Sequence, residues 1–94
     1  MIHELKCWPE SFSPIWRGEK RAEFRIDDRG FRTEDELVLL EWKPRECALT
    51  GRKLRARITH ILRGPNFGVP EGYSMLSIEV VSREGEDPAK VSSR

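Results

Sequence analysis

The sequence has no long apolar run, since its longest uncharged hydrophobic stretch extends only from Leu37 to Leu40. A membrane-spanning helix needs about 20 apolar residues. Glu4 and Lys6 interrupt the N-terminal region in which a signal peptide would carry its apolar segment. The sequence therefore predicts a cytoplasmic protein that makes no contact with a membrane.

Cysteine is also scarce, because the chain contains only Cys7 and Cys47. With His3 and His60 they lack the close spacing of a dedicated zinc site, and a cytoplasmic protein is expected to keep both thiols reduced. A Gly-rich phosphate loop, a nucleophile elbow and a zincin motif are all missing. The chain is therefore predicted to use neither a metal nor another cofactor.

An excess of one charge is missing as well, since 17 Lys and Arg face 16 Asp and Glu for a net charge of +1. This balance excludes a globally basic nucleic-acid binder, so any basic surface must be local. Charged residues make up 35% and hydrophobic residues 37% of the 94 positions. That composition is sufficient for one small core in a single domain.

Short alternating segments separated by turn residues dominate the chain and predict about five strands. These segments cover residues 2–7, 21–26, 36–42, 53–62 and 73–81. One helix is predicted to begin with Pro9 in its first turn and to end at Gly18, and Pro14 either kinks it or begins a shorter helix. The fold class is therefore α+β, mainly β, with a small, partly closed β-barrel.

The C-terminal segment 82–94 contains no aromatic residue, and its only hydrophobic residues are Ala89 and Val91. Such a composition is typical of a disordered tail. We therefore expect a single domain over residues 1–81, followed by this tail.

The segment 21–26 alternates between two chemically different faces. Phe24 and Ile26 belong to the apolar face, which is expected to pack against the core. The opposite, polar face carries Glu23 and Arg25. From the residues alone, this face is either a solvated, salt-bridged rim or the working surface of a site.

A resemblance favours the second interpretation. The pattern G-x-K followed by x-x-E-x-R, formed by Gly18, Lys20, Glu23 and Arg25, resembles the signature of ASCH domains in the PUA-like superfold. The segments His3–Lys6 with Trp8-Pro9, and Gly68–Tyr73, resemble a compact bacterial and phage branch catalogued as domain of unknown function 3850. These matches span most of residues 2–81.

The resemblance implies a β-barrel with a cleft beside the first helix. ASCH relatives include RNA-binding modules, ribonucleases and amidohydrolases that remove acyl groups from N4-acylated cytidine. In the amidohydrolases the motif lysine acts with a threonine three residues later and with a distant glutamate. Lys20 matches that lysine, whereas the threonine position is Glu23.

The most concrete function expected is hydrolysis of an N4-acyl group from cytidine or a close nucleoside analogue. Lys20 and Glu23 are expected to activate water, Arg25 to stabilise the oxyanion, and Glu71 to supply a second carboxylate. The residues expected to contact the nucleoside are Trp8, Tyr73 and Ser74.

The alternative function is a non-catalytic RNA-binding module that uses the same cleft and a basic strand. The basic stripe consists of five cations with no acid between them, namely Arg52, Lys53, Arg55, Arg57 and Arg63. Such a stripe suits a phosphate backbone, but it is equally typical of a solvated outer strand. A nuclease ranks third, because Asp27 and Asp28 are the only paired carboxylates near the motif. The sequence leaves the true substrate and the oligomeric state open.

Overall fold

The computed structural model describes residues 1–86, which form one five-stranded sheet and one short helix. The elements in chain order are β1 (Ile2–Cys7), α1 (Pro9–Trp16), β2 (Ala22–Ile26), β3 (Glu36–Lys43), β4 (Ala48–Arg63) and β5 (Tyr73–Glu84). This architecture confirms the predicted fold class, which is mainly β with one helix near the start.

The strands lie in the order β1-β3-β4-β5-β2, with β1 parallel to β3 and the other pairs antiparallel. β1 and β2 are therefore the two edges of the sheet. Arginine side chains connect these edges. Arg25 Nη2 donates to the Lys6 carbonyl at 2.5 Å, and Arg29 Nη1 donates to the Glu4 carbonyl at 3.1 Å. Because side chains replace a backbone ladder here, the sheet is a half-barrel with an opening between β1 and β2.

The helix α1 packs on the inner face of the sheet, where Phe12 and Ile15 are fully buried in the core. Burial of one such side chain contributes about 1.5–3 kcal/mol. Pro14 lies inside the helix, so the alternative of a shorter helix that begins at this residue is wrong. Gly18 follows the helix with a φ of 80°, and its N–H donates to the Ile15 carbonyl at 3.0 Å. Glycine suits this position because a positive φ is costly for residues with a Cβ.

The last strand is longer than its sequence pattern indicates. β4 and β5 pair as far as Lys53 opposite Glu84, so the chain stays in the sheet beyond the predicted domain boundary at 81. The cross-strand ladder extends the strand here, although Ser82 to Glu84 carry no apolar pattern. The remainder of the predicted disordered tail, 87–94, lies outside the described residues. Within residues 1–86, no helix has the length and apolarity that crossing a bilayer requires.

Candidate functional site

A cavity of about 480 Å³ occupies the opening between the two edge strands. β1 contributes Cys7 to its wall, the start of α1 contributes Trp8 and Ser11, and β2 contributes Glu23 and Arg25. The volume lies within the range of roughly 300–1,000 Å³ that is usual for small-molecule sites. The cleft that the resemblance implies beside the first helix is therefore present, and part of the sequence motif faces it.

The strand β2 turns its polar side inward, which is the reverse of the predicted packing. Glu23 is only 4% exposed, whereas Phe24 and Ile26 are 47% and 55% exposed. The register with β5 explains the reversal, because it places Glu23 opposite the buried Leu76 and Arg25 opposite the buried Ser74. The expectation that Phe24 packs in the core is therefore wrong. Alternation identifies the two faces of a strand, but the sheet decides which of them faces the interior.

Glu23 and Arg25 form an ion pair at the wall of the cavity. Arg25 Nε lies 3.1 Å and Nη2 lies 3.0 Å from the same carboxylate oxygen, Oε2 of Glu23. The other oxygen, Oε1, accepts no hydrogen bond from residues 1–86, yet it is not a fully buried, unsatisfied atom. One side of the carboxylate is thus held by the arginine, and the other side can accept a hydrogen bond from a ligand.

Contrary to the prediction, Lys20 does not pair with Glu23; its side chain reaches Ser11 on α1 instead. Its Nζ donates to Ser11 Oγ at 2.6 Å, and residues 1–86 contain no ion pair between Lys20 and Glu23. Lys20 itself lies behind the wall, and Ser11 is the residue of this pair that lines the cavity. The structure therefore places a hydroxyl beside the motif lysine, although the sequence position three residues after it carries none.

Cys7 lines the same cavity as Ser11 and is buried, with only 3% of its surface exposed. Burial, together with the negative charge of Glu23, raises the pKa of the Cys7 thiol to about 11. The thiol is therefore protonated at neutral pH and acts as a polar wall group, not as a nucleophile. Cys7 and Cys47 are both free, as predicted.

Of the four other residues predicted to belong to the site, two line the cavity and two do not. Trp8 is 57% exposed and lines the cavity, and Tyr73 lines it while stacking on Phe24 at a centroid distance of 5.3 Å. Ser74 is fully buried and donates to Asp27 Oδ2 at 2.8 Å, so its hydroxyl serves the fold. Glu71 is exposed and does not line the cavity.

Sequence reasoning missed Ser11 and Cys7 as members of the site. Ser11 lies on α1, and Lys20 lies after the helix-ending turn, nine positions later. No helical or strand periodicity relates two such positions; the turn after the helix brings them together, because the N–H of Lys20 donates to the Pro14 carbonyl at 3.1 Å and so holds Lys20 against the helix. Alternation predicted the strand over residues 2–7, and the structure shows that Cys7 lies on its buried face, but no feature of the pattern assigned Cys7 to a site.

The basic stripe forms ion pairs along its whole length. The four exposed or partly exposed cations each contact an acid: Lys53 contacts Glu84, Arg55 contacts Glu36, Arg57 contacts Glu34 and Glu79, and Arg63 contacts Asp27. Arg52 is separate from them because it is buried against Glu41. The arrangement matches the alternative of a solvated strand whose charges are offset by acids from neighbouring elements.

Among residues 1–86, no group of three His, Cys, Asp or Glu side chains is arranged to hold a metal ion. The polar groups that line the cavity are the carboxylates of Glu23 and Asp28, the guanidinium groups of Arg25 and Arg29, the Lys6 ammonium, the Cys7 thiol and the hydroxyls of Ser11 and Tyr73, beside the exposed indole ring of Trp8. Such groups suit a small, planar, hydrogen-bonding ligand.

The fold and the cavity define a small half-barrel domain with a polar site between its edge strands. Residues 2–78 match the family described as domain of unknown function (DUF3850), and the chain belongs to that family. The predicted resemblance to domain of unknown function 3850 is thus confirmed, and the wider assignment to ASCH domains stays a prediction. The chain is also 45% identical over 60 residues to the "Uncharacterized 12.9 kDa protein in GpA 3'region" of Escherichia phage P2. That match covers 64% of this chain and 53% of the phage protein, so the chain spans about half the length of this curated relative.

Proposed function

We propose that the cavity binds the base of a nucleoside and that the protein hydrolyses an N4-acyl group from cytidine or a close analogue. One observation carries the proposal: Glu23 lines the cavity, Arg25 holds one oxygen of its carboxylate, and the other oxygen accepts no hydrogen bond within residues 1–86. The half-barrel and the order of the motif residues support the resemblance to ASCH domains, which includes amidohydrolases of this kind.

The polar groups of the cavity are complementary to an N4-acylated cytosine. Its N4–H is a donor that suits the free Oε1 of Glu23, and its acyl oxygen is an acceptor that suits a guanidinium. Arg25 Nη1 donates to no acceptor within residues 1–86, so it is available for that oxygen. The exposed ring of Trp8 provides a stacking surface, and such stacking contributes about 1–3 kcal/mol per base.

In the proposed reaction, Glu23 accepts a proton from a water molecule while the water oxygen attacks the acyl carbon. Arg25 stabilises the negative charge that develops on the acyl oxygen. The bond between the acyl carbon and N4 then breaks, and the proton held by Glu23 passes to N4. The products are a carboxylic acid and cytidine, so all atoms are accounted for.

Lys20 has an indirect role in this scheme. Because its Nζ lies 2.6 Å from Ser11 Oγ, the ammonium fixes the hydroxyl at the cavity wall. Ser11 is then a second donor for the oxyanion, in addition to Arg25. Lys20 is thus a positioning residue, and the hydroxyl of Ser11 takes the place of the threonine that the amidohydrolase pattern would have at position 23.

The test is release of cytidine from N4-acetylcytidine, followed by chromatography. Glu23→Gln is expected to lower the rate at least about 100-fold, because it removes the general base and general acid–base catalysis contributes roughly 10²–10⁴-fold. Lys20→Ala is also expected to lower the rate, because it releases the Ser11 hydroxyl, and loss of one oxyanion donor costs at most about 10²–10³-fold. Glu84→Gln and Lys53→Ala are matched controls, since these residues form an exposed ion pair on the outer surface of the sheet. Full activity in both site variants would refute the mechanism.

The alternative, a non-catalytic RNA-binding module, has less support because ion pairs offset the charges of the basic stripe. It would be favoured if the wild-type protein gave no turnover at high concentration but bound RNA with an affinity that fell steeply with salt. The cytoplasmic location stays a prediction from the sequence.

A further inference from the structure

Trp8 also lines a second cavity. Its volume is about 680 Å³, and Trp8 is the only residue that lines both this cavity and the first. The second cavity is built from the start of α1 and from the turn between β3 and β4. Its lining residues are Trp8, Pro9, Glu10, Lys43, Pro44, Arg45 and Glu46. One exposed tryptophan is thus shared by two spaces that are each large enough for a nucleobase.

The charges of the second cavity differ from those of the basic stripe. Lys43 and Arg45 form no ion pair with any residue in 1–86, whereas every cation of the stripe does. Glu10 and Glu46 are likewise outside the ion pairs of the described residues. Two cations outside the ion pairs suit one phosphate group, although Lys43 also acts electrostatically on Glu41, and two carboxylates outside the ion pairs suit the amino group of a base edge.

We infer that the site takes two adjacent nucleotides of a single-stranded polynucleotide, with Trp8 between their bases. This inference rests on the proposed function, because the base that carries the acyl group occupies the first cavity. The neighbouring base occupies the second cavity, and Lys43 and Arg45 contact the phosphate that joins the two nucleotides. The substrate class is then a nucleotide within a strand, and a free nucleoside fills only half of the site.

The experiment compares cytidine with cytidylyl-(3′→5′)-cytidine by titration calorimetry. For the wild-type protein, we expect the dinucleotide to bind roughly fivefold to a hundredfold more tightly, the range that one added stacked base supplies. The logarithm of its affinity should fall as the logarithm of the salt concentration rises, with a shallow slope, because salt screens the attraction between one phosphate charge and exposed cations. Cytidine binding should show no such slope.

The informative variant is the double change Lys43→Ala/Arg45→Ala, which should reduce the dinucleotide's advantage and abolish its salt slope while cytidine affinity stays unchanged. Arg32→Ala is the matched control, because Arg32 is exposed, forms no ion pair within residues 1–86 and lines neither cavity. Trp8→Ala should weaken both ligands, and Trp8→Phe should restore part of the loss. Circular dichroism confirms that each variant is folded.

Each other outcome overturns a specific step. Equal affinity of the wild-type protein for the two ligands refutes the second subsite and leaves the nucleoside site intact. If the double variant keeps both the tighter binding of the dinucleotide and its salt slope unchanged, the second nucleotide does not bind in this cavity, and the assignment is refuted. No binding of either ligand refutes both this inference and the proposed function on which it rests.

Discussion

Arg52 connects the helix that carries Ser11 to the hairpin of β3 and β4. Its Nε and Nη2 donate to the two oxygens of Glu41 at 2.8 and 2.7 Å, and Nη2 also donates to Ser13 Oγ at 3.0 Å. The guanidinium lies about 5 Å from the ring centroids of Phe12 and Trp16. We predict that Arg52→Ala is the most damaging substitution among the five cations of the basic stripe.

The magnitude follows from burial. The Arg52 and Glu41 side chains are 10% and 5% exposed, so removal of the arginine leaves a carboxylate in the interior with Thr50 as its remaining hydrogen-bond donor. Loss of one partner of a buried ion pair costs about 3–5 kcal/mol. Arg55→Ala is the matched comparison, because its pair with Glu36 is 49% and 28% exposed and contributes at most about 1 kcal/mol.

The assay is urea unfolding followed by tryptophan fluorescence and circular dichroism. Arg52→Ala should lower the free energy of unfolding by about 3 kcal/mol with little change in the m-value. Replacement of both partners by leucine should recover much of this loss, since it removes the stranded charge. A cost for Arg52→Ala no larger than that for Arg55→Ala would refute the argument that the pair is effectively buried.

Two further predictions concern titrating groups. Iodoacetamide at about pH 8 should modify the exposed Cys47 and spare the buried Cys7, because burial raises the pKa of the Cys7 thiol to about 11. Equal labelling of the two cysteines in a peptide-mass assay would contradict this prediction. The hydrogen bond with His3 holds the pKa of Asp35 at about 2, below its ordinary 3.8. The stability that this carboxylate contributes is therefore present above pH 3.8 and is lost as the pH falls through about 2. Asp35→Asn should be less stable than wild type near neutral pH but lose less further stability between about pH 5 and pH 2, as measured by the urea midpoint at each pH.

Most of the fold could be predicted from local patterns. Alternation located all five strands, and Trp8-Pro9 and Gly18 marked the limits of the helix region. These signals are local because a strand repeats every two residues and a helix end needs a particular backbone angle. The strand ends were less predictable, since β5 extends to Glu84 through pairing with β4, a distant part of the chain.

By itself, the sequence determined that β2 has one polar face, which carries Glu23 and Arg25, and one apolar face, and that β4 carries a row of cations. Only the tertiary structure decided that Glu23 faces the interior and that Lys20 meets Ser11. It also decided that acids from other strands neutralise the cations. The physical reason is the same in each case: orientation and charge compensation depend on neighbours that are distant in sequence, and no pattern within one strand specifies them.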